Sequence, residues 1–521
     1  MKYGLAVGLL LVAAGALAIR LPRLEERPLH TDEAVHALKF KGLWEMGTYR
    51  YDPLEYHGPS LYYLTWPIAW ASGAEEFARI KERTLRVLPV FFGVGLILLL
   101  PLVADGQGRM ATLWAGLFTA ISPAMVFYSR YYIHEMGLVF FTFLWFAACW
   151  RYWRTGQLGW ALLGGSGLGM MAATKETFVL ELAAAAGALG LGIVWGRRTD
   201  RLGEGPRIKW THVAAGFGVA FGVWLVLFTS FFSNASGPLD SIRTYAPWLR
   251  RAEGQSSHIH SWSYYIGLLA YQRVGRGPTW SEGLILGLAL VGFVVALVRG
   301  RDVRGGGGWI QFVAFYTMLL TVIYSVIPYK TPWCLLGFLH GLILLAGVGA
   351  AWVVGWSRWW PMRVVPAIVV LVGAVQLTVQ AYRASYTYCD NSRNPYVYAH
   401  TLSSVLRLVD RVEDLARVDP REDKLLIKVM AKGGDYWPLP WYLRRFEQVG
   451  WWGEVAEDPV APVVIASPAF APQLEQVLGE THQMAGYFGL RPTVFLQLYV
   501  ERGLWERYLT GAAGGGRGTG R

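Results

Sequence analysis

Apolar runs of about 18 residues or more recur along most of this chain of 521 residues. A run of that length, coiled as an α-helix, crosses the roughly 30 Å hydrocarbon core of a bilayer. Charged residues make up only 16% of the chain, whereas a soluble globular domain carries roughly a quarter. Open sheets cannot satisfy their backbone hydrogen bonds in lipid. The sequence therefore predicts a polytopic α-helical membrane protein.

The hydropathy pattern predicts about eleven membrane spans, of which the fourth and fifth are the shortest. The first run follows a single lysine and has no convincing cleavage site, so it is expected to be a retained anchor rather than a signal peptide. The predicted ranges are 3–19, 85–104, 111–127, 137–150, 160–173, 178–195, 211–232, 283–298, 309–327, 335–354 and 364–380.

Basic residues are distributed unevenly between the loops. Arginine is concentrated in the loops 151–156, 196–209, 300–308 and 357–363, which the positive-inside rule places in the cytoplasm. The N-terminus is then cytoplasmic, and the alternate loops and everything after residue 381 lie outside. This pattern also explains the net charge of +12 without a nucleic-acid partner. We expect a multi-pass protein of the cell (plasma) membrane.

The first outer loop, at about residues 20–84, is predicted to hold two helices that lie on the membrane surface. The stretch "DEAVHALKFKGLWEMG" is typical of a helix that ends at Gly47, and "HGPSLYYLTWPIAW" is typical of an aromatic interfacial helix with Pro59 near its start. Together with the spans, this loop belongs to a predicted transmembrane domain over residues 1–381.

The composition changes after Gln380, where a solvated charge run occupies residues 410–424. Short β-branched and apolar runs then predict strands. We expect a small extracytoplasmic α/β domain over residues 382–510, followed by a disordered tail at 511–521 because that tail is rich in glycine. The predicted strands are 425–430, 461–467 and 493–500.

Three short outer turns each hold a lone cation, although the positive-inside bias should deplete cations there. Arg130, Lys175 and Lys330 each lie beside the end of an apolar run. Such a set suggests one shared anionic ligand. The alternative is contact with lipid head groups or a local ion pair, such as Lys175 with Glu176.

The first outer loop begins with the acidic pair Asp32 and Glu33 in "HTDEAVHA". A carboxylate at the membrane edge can act as a general base on a hydroxyl or an amine, and nearby cations can stabilise a leaving phosphate. The alternative for Asp32 is a helix N-cap, unless Thr31 provides the cap. A first-turn acid such as Glu33 also suits the helix dipole. Glu135 and Glu176 are candidate supporting acids.

Histidines near these acids leave open a divalent metal ion as a cofactor. Histidines of a membrane interface without any ligand role are the alternative. The three cysteines, Cys149, Cys334 and Cys389, form no disulfide or zinc framework. The candidate metal ligands are His36, His57, His258 and His260.

The order of several motifs resembles the GT-C membrane glycosyltransferases, in the branch of the protein O-mannosyltransferases and the aminoarabinose transferases of lipid A. The sequence is more similar still to a prokaryotic family described as flippase-activity-associated proteins. These motifs run from about residue 30 to 445, and they are "HTDEAVHA", "YRYDPLEYHGPSLYYL", "SRYYIHE", "TKET", "FFSNASG", "YKTPW" and "YWPLPWYLRR".

The resemblance implies a GT-C bundle and a sugar donor carried on polyprenyl phosphate. It implies that Asp32 is the base for the acceptor, with Glu33 beside it. It assigns Lys175 to the donor phosphate, with Arg130 in the corresponding outer turn, and it extends to Lys330 through the narrower family. The sequence departs from the mannosyltransferase branch because it has no recognisable β-trefoil insertion in an outer loop and has fewer spans than some relatives, so the resemblance does not extend to a protein hydroxyl as the acceptor.

The predicted function is transfer of a sugar from a polyprenyl-phosphate donor to an extracytoplasmic lipid-linked glycan, cell-wall polymer or protein. The alternative is a non-enzymatic factor for translocation of a lipid-linked glycan. The enzyme requires Asp32, Arg130 and Lys175 to surround one outward cavity, and this arrangement is our spatial prediction.

Overall fold

The fold is a bundle of long helices followed by a small sheet. It is seen in a computed structural model that describes residues 2–54, 57–198, 208–248, 258–299, 307–356, 359 and 361–514. The predicted cytoplasmic loops 196–209, 300–308 and 357–363 fall partly or largely outside the described residues, as does 515–521 of the predicted tail.

The helices of the bundle occupy most of the chain up to residue 382. Between them, α2 and α3 form the loop after the first helix, and α12 and α13 belong to a second long connection. The bounds are α1 Lys2–Arg20, α2 Thr31–Met46, α3 Ser60–Ala71, α4 Glu82–Leu99, α5 Ala104–Gln107, α6 Arg109–Ile121, α7 Pro123–Tyr128, α8 Glu135–Thr155, α9 Leu158–Ala172, α10 Phe178–Arg198, α11 Trp210–Phe228, α12 Gly237–Arg243, α13 Tyr264–Ala270, α14 Gly283–Arg299, α15 Gly307–Val326, α16 Leu336–Gly355 and α17 Pro361–Tyr382.

Several of these helices are suited to a bilayer, and the chain is a multi-pass membrane protein. Three shorter apolar helices accompany the long ones, and the predicted total of eleven spans stays a prediction. Within the described residues, six helical stretches are long and apolar enough to cross a membrane: Glu82–Gln107, Phe178–Trp195, Trp210–Phe228, Gly308–Val326, Pro332–Gly355 and Pro361–Thr387.

One predicted span is interrupted. The range 111–127 was expected to be continuous, but α6 ends at Ile121 and α7 begins at Pro123. Ser122 caps α7 through a bond from the Met125 amide, and a proline is favoured at the first position of a helix because it lacks an N–H. An apolar run can therefore contain a helix boundary that hydropathy alone does not reveal.

The core of the bundle depends on close approach between helices. The helices α14 and α16 approach one another at two glycines. A Cβ added to Gly292 of α14 would lie 1.9 Å from the Leu345 carbonyl oxygen of α16. A Cβ added to Gly349 of α16 would lie 2.0 Å from the Leu288 carbonyl oxygen of α14. Small residues allow such approach in membranes, where packing rather than hydrophobic burial holds helices together.

The first turn of α2 is fixed by His30, which is its N-cap, rather than by Thr31 or Asp32 as the sequence suggested. The His30 imidazole accepts a hydrogen bond from the Asp32 amide at Nδ1, 3.0 Å away. The Glu33 carboxylate in turn accepts the His30 amide at 3.0 Å. At its other end, α2 finishes at Gly47 with φ 71°, as predicted.

Glu33 is fully buried between two arginines. It accepts two hydrogen bonds from Arg86 of α4, at 2.8 and 2.7 Å, and one from Arg27 at 3.2 Å. The amide of Tyr132 donates to it as well, at 2.9 Å. Burial alone would raise the pKa of Glu33, but the two guanidinium groups outweigh burial and lower the pKa to about 2. The first outer loop is thus tied to the bundle by a buried charge cluster.

A five-stranded sheet forms the core of the C-terminal region, which we define as residues 388–514. The strand order is β2-β1-β3-β5-β4; β1 is parallel to β2 and β3, and β5 is antiparallel to β3 and β4. The bounds are β1 Ile427–Met430, β2 Val449–Trp452, β3 Val463–Ala466, β4 His482–Arg491 and β5 Val494–Glu501, with helices α18 Ser404–Arg417, α19 Leu439–Tyr442, α20 Ala471–Leu478 and α21 Arg502–Gly514.

The fold class predicted from the sequence, a helical membrane bundle with a small C-terminal sheet, is confirmed. The predicted strands 425–430, 461–467 and 493–500 overlap β1, β3 and β5, whereas β2 and β4 were missed. The boundaries of the predicted domains at 381, 510 and 511 stay predictions.

Replacing Gly292 or Gly349 by valine should destabilise the bundle by about 1–3 kcal/mol, because the new side chain meets backbone on the facing helix. The thermal midpoint in detergent measures this change. Gly287→Val is the control: Gly287 lies on α14, as Gly292 does, but a Cβ there meets nothing within 4 Å. Equal midpoints for all three variants would contradict the packing.

Glu33→Gln should lower the free energy of unfolding by about 3–5 kcal/mol at neutral pH, because it leaves buried guanidinium groups without their carboxylate. The pKa of Glu33 is lower in the folded chain than its ordinary 4.5, so its stabilising effect is present above pH 4.5 and is lost as the pH falls through about 2.

The gap in thermal midpoint between the wild type and Glu33→Gln should therefore narrow as the pH falls from 4.5 to 2. Glu45→Gln in the same helix is the control, because its ion pair with Lys41 is half exposed at 3.9 Å and should contribute about 0–1 kcal/mol. A gap that stays constant across this range would argue against the buried cluster.

Candidate active site

A cavity of about 250 Å³ opens beside the first turn of α2. Asp32 and His36 line it from α2, and Lys175 lines it from the turn between α9 and α10. The opposite wall is formed by the end of α15 and the segment that follows it. The other described lining residues are Val35, His57, Thr177, Leu180, Trp248, Tyr324, Ile327, Tyr329, Thr331, Trp333 and Cys334.

Asp32 is available to a ligand in this cavity. His30 provides the helix cap, so the Asp32 carboxylate is not needed for that purpose. Its side chain is 44% exposed, and it lies 3.8 Å from His30 Nδ1. An accessible carboxylate with a fixed backbone fits the general-base role predicted for it.

Glu33 does not share this position. Neighbouring residues of a helix point about 100° apart, and Glu33 faces the interior, where Arg27 and Arg86 occupy its oxygens. The paired catalytic role predicted for Asp32 and Glu33 is therefore corrected: only Asp32 of the two lines the cavity.

Lys175 forms a buried ion pair with Glu135 at the start of α8. Burial alone would lower the pKa of Lys175, but the carboxylate of Glu135 outweighs burial and raises it. Lys175 is thus a permanent cation at the cavity wall. The local pair with Glu176 that the sequence allowed is not formed; Glu176 instead accepts from His57 Nδ1 at 2.7 Å.

Arg130 is not among the cavity-lining side chains that the structure describes. Its guanidinium donates to the carbonyls of Arg20 at 2.6 Å, Pro22 at 2.7 Å and Arg23 at 3.1 Å, and it stacks 4.4 Å over the ring of Tyr386. Burial lowers its pKa to about 10. The prediction that Arg130 shares a cavity with Asp32 and Lys175 is wrong, because the carbonyls of the turn after α1 occupy its donors.

Lys330 supports the rim of the cavity rather than lining it. Its ammonium donates to the carbonyls of His260 at 3.2 Å and Ile327 at 2.5 Å. The residues on either side, Tyr329 and Thr331, do line the cavity. The side chain is directed to backbone oxygens, so among the three predicted cations only Lys175 lies at the cavity wall.

The four candidate metal ligands fall into two clusters. His36 and His57 pack with His134 at ring-centroid distances of 4.6 and 5.2 Å, and burial lowers the pKa of His36 and His134, which keeps them neutral. His258 and His260 pack against Tyr398 instead. Among the described residues, no group of three or more His, Cys, Asp or Glu is arranged to hold a metal ion.

Three residues that build this site, Arg86, Arg27 and His134, were not predicted from the sequence. A charge inside a predicted span was the available signal for Arg86, because an ionisable group in a membrane helix needs a partner. Arg27 and His134 gave no local signal, since their partners lie on other elements. His30, which the sequence offered as a possible metal ligand beside the acidic pair, is a helix cap instead.

Comparison with known proteins bears on the fold of this chain. The family model of the dolichyl-phosphate-mannose-protein mannosyltransferases matches residues 60–236, roughly a third of the chain. No sequence among the curated proteins gives a significant match.

Solved structures match over almost the whole chain. ArnT from Cupriavidus metallidurans, bound to undecaprenyl phosphate, is 16% identical with a TM-score of 0.62, and the match covers 94% of this chain and 97% of ArnT. The oligosaccharyltransferase AglB from Archaeoglobus fulgidus, in complex with an inhibitory peptide and a dolichol-phosphate, is 11% identical with a TM-score of 0.57, over 90% of this chain and 70% of AglB. The predicted resemblance to the GT-C glycosyltransferases is confirmed at the level of the fold, and the likeness to the narrower flippase-associated family stays a prediction.

Proposed function

We propose that this protein is a membrane glycosyltransferase that moves a sugar from a polyprenyl-phosphate donor to an acceptor outside the cytoplasm. The observation that carries the proposal is that Asp32 and Lys175 line one cavity, although they are 143 positions apart in the sequence and seven α-helices, α3 to α9, lie between them. ArnT, which shares the fold, was solved with undecaprenyl phosphate, and this supports a lipid-borne donor. The cavity is proposed to face the non-cytoplasmic side, where nucleotide sugars are absent.

Lys175 is proposed to hold the donor phosphate. It is the one Lys or Arg among the described residues that line the cavity, and its positive charge is maintained by Glu135. A phosphate that enters the cavity would bind the Lys175 ammonium alongside Glu135. The ammonium would then donate charge-assisted hydrogen bonds to the phosphate oxygens. Arg130 and Lys330 are proposed to act indirectly, because they fix the turns on which the site is built.

Asp32 is proposed to take the proton of the acceptor. As the acceptor oxygen or nitrogen attacks the anomeric carbon, its proton passes to the Asp32 carboxylate. The bond between that carbon and the phosphate oxygen breaks, and its electron pair leaves with the polyprenyl phosphate, which Lys175 stabilises. Attack opposite the leaving phosphate inverts the anomeric centre. The acceptor is a lipid-linked glycan, a cell-wall polymer or a protein.

The alternative function, translocation of a lipid-linked glycan without chemistry, gains no support from the described residues. Glu181 is an acid inside a membrane helix, but it is buried and bonded to the Tyr316 hydroxyl. A translocation path needs polar groups that face an open channel.

Asp32→Asn should abolish sugar transfer, with a fall of about 10²–10⁴-fold in rate, because the general base is lost. Purified protein in liposomes, supplied with a labelled polyprenyl-phosphate hexose and a membrane extract as the acceptor source, measures this rate. Asp52→Asn is the matched control: it lies in the same loop, and its carboxylate accepts only from the nearby Leu54 amide among the bonds described.

Full activity of Asp32→Asn would refute the role of this residue. Movement of intact lipid-linked glycan across the vesicle membrane, without sugar transfer, would refute the enzyme and favour translocation.

Removal of the Lys175 charge should weaken donor binding by about 10–100-fold, the value of one to two charge-assisted hydrogen bonds. Lys175→Met alone would leave Glu135 buried and unpaired, so the informative variant is Lys175→Met with Glu135→Gln. Titration of polyprenyl-phosphate hexose against the fluorescence of the cavity tryptophans, Trp248 and Trp333, measures binding. Glu135→Gln alone keeps the amine but removes the carboxylate that maintains its charge, so its donor binding should be stronger than that of the double variant. A double variant that binds like wild type would contradict the assignment.

A further inference from the structure

The C-terminal region forms hydrogen bonds with residues 29–31, the chain immediately before Asp32. The Thr401 hydroxyl donates to the Leu29 carbonyl at 2.7 Å, and the Leu29 amide donates to the Tyr442 hydroxyl at 2.8 Å. Arg491 donates to the Thr31 hydroxyl at 3.0 Å. These bonds come from three separate parts of the region, namely the segment before α18, the end of α19 and the end of β4.

His30 adds a further bond to the C-terminal region and also bonds to the first turn of α2. Because Nδ1 accepts the Asp32 amide, the hydrogen of the neutral ring must lie on Nε2. Nε2 therefore donates to the Tyr398 carbonyl, 3.1 Å away. One imidazole thus caps the helix through one nitrogen and binds the C-terminal region through the other.

The two bonds to Leu29 are buried, so they are made without competition from water, whereas the bonds of Arg491 and of His30 Nε2 are partly buried. Leu29, His30, Thr401 and Tyr442 are all buried. The His30 ring also packs against His400 at 5.0 Å and against Trp333 at 5.8 Å, and Trp333 lines the cavity. A shift of the C-terminal region would therefore be transmitted through His30 to the backbone of Asp32.

We propose that the C-terminal region is a positioning device for Asp32. Tyr398, Thr401, Tyr442 and Arg491 are positioning residues: they hold residues 29–31 so that the Asp32 carboxylate faces the cavity. This inference rests on the proposed function, since it takes Asp32 to be the base. Lys175 lies on a different element, the α9–α10 turn, so the device sets the rate of the chemical step and leaves donor binding unchanged.

The first test uses variants that remove single contacts at constant shape. Thr401→Val with Tyr442→Phe should lower the maximal rate of hexose transfer by about 10–100-fold, because a misplacement on the order of 1 Å can cost about 10²-fold. The concentration of labelled polyprenyl-phosphate hexose that gives half the maximal rate should not change. The matched control is Ser404→Ala with Tyr499→Phe, whose hydroxyls bond within the C-terminal region, to Gly489 and Gln497.

The second test separates the helix cap made by His30 from its bond to the Tyr398 carbonyl. His30→Asn retains a side chain that caps helices well but is too short to replace the bond to Tyr398. We expect His30→Asn to lose rate like the double variant but to lower the thermal midpoint less than His30→Ala does, because Asn keeps the helix cap and loses only the packing of the ring. His30→Ala should lose both rate and stability.

Hydrogen exchange of the amides at residues 31–36 gives a readout that does not depend on activity. Exchange there should be faster in Thr401→Val with Tyr442→Phe than in the control variant. Unchanged exchange, an unchanged maximal rate, or a rise in the half-saturating donor concentration alone would each overturn the positioning role. A wild-type protein that transfers no sugar would overturn the proposed function instead. Hydrogen exchange would still show whether the bonds from Thr401 and Tyr442 stabilise residues 31–36.

Discussion

The buried cluster of Glu33, Arg27 and Arg86 is the interaction on which the candidate site depends. Arg86 belongs to α4, a membrane helix, and it also donates to the carbonyls of Leu24, Arg27 and Pro28. The chain between α1 and α2 is thereby wrapped around one guanidinium group. Charges inside a bundle are costly unless they are paired and fully hydrogen-bonded, so this loop has one well-defined path. The start of α2, and with it Asp32, is placed by that path.

Two further arginines also bind backbone carbonyls of neighbouring segments. Arg20 at the end of α1 donates to the carbonyls of Thr119 and Ala120 near the end of α6, and Arg130 donates to the turn that follows Arg20. Both side chains satisfy backbone oxygens that helix ends leave without partners. The Arg130 side chain is thus part of the scaffold, and the described residues that line the cavity include one lysine, Lys175, and one acid, Asp32.

Much of this architecture follows from the sequence, because helix length and hydropathy are local properties. The end of α2 at Gly47 and the strands β1, β3 and β5 were predicted for the same reason. The strand β4 was missed because two irregularities, near Gly486 and near Arg491, break its alternation. The placement of Asp32 and Lys175 near one another came from motif order and membrane topology. The direction of the Arg130 side chain did not, since a turn between α7 and α8 does not determine which carbonyls lie within reach.

The proposed mechanism requires that the donor phosphate binds beside Lys175 with the anomeric carbon within reach of Asp32. A structure of the protein with a bound polyprenyl-phosphate sugar would show whether this is so. We expect phosphate oxygens within hydrogen-bond distance of Lys175 Nζ and the sugar in the cavity between that lysine and α2. A phosphate bound at Arg130, or at any place away from this cavity, would contradict the mechanism.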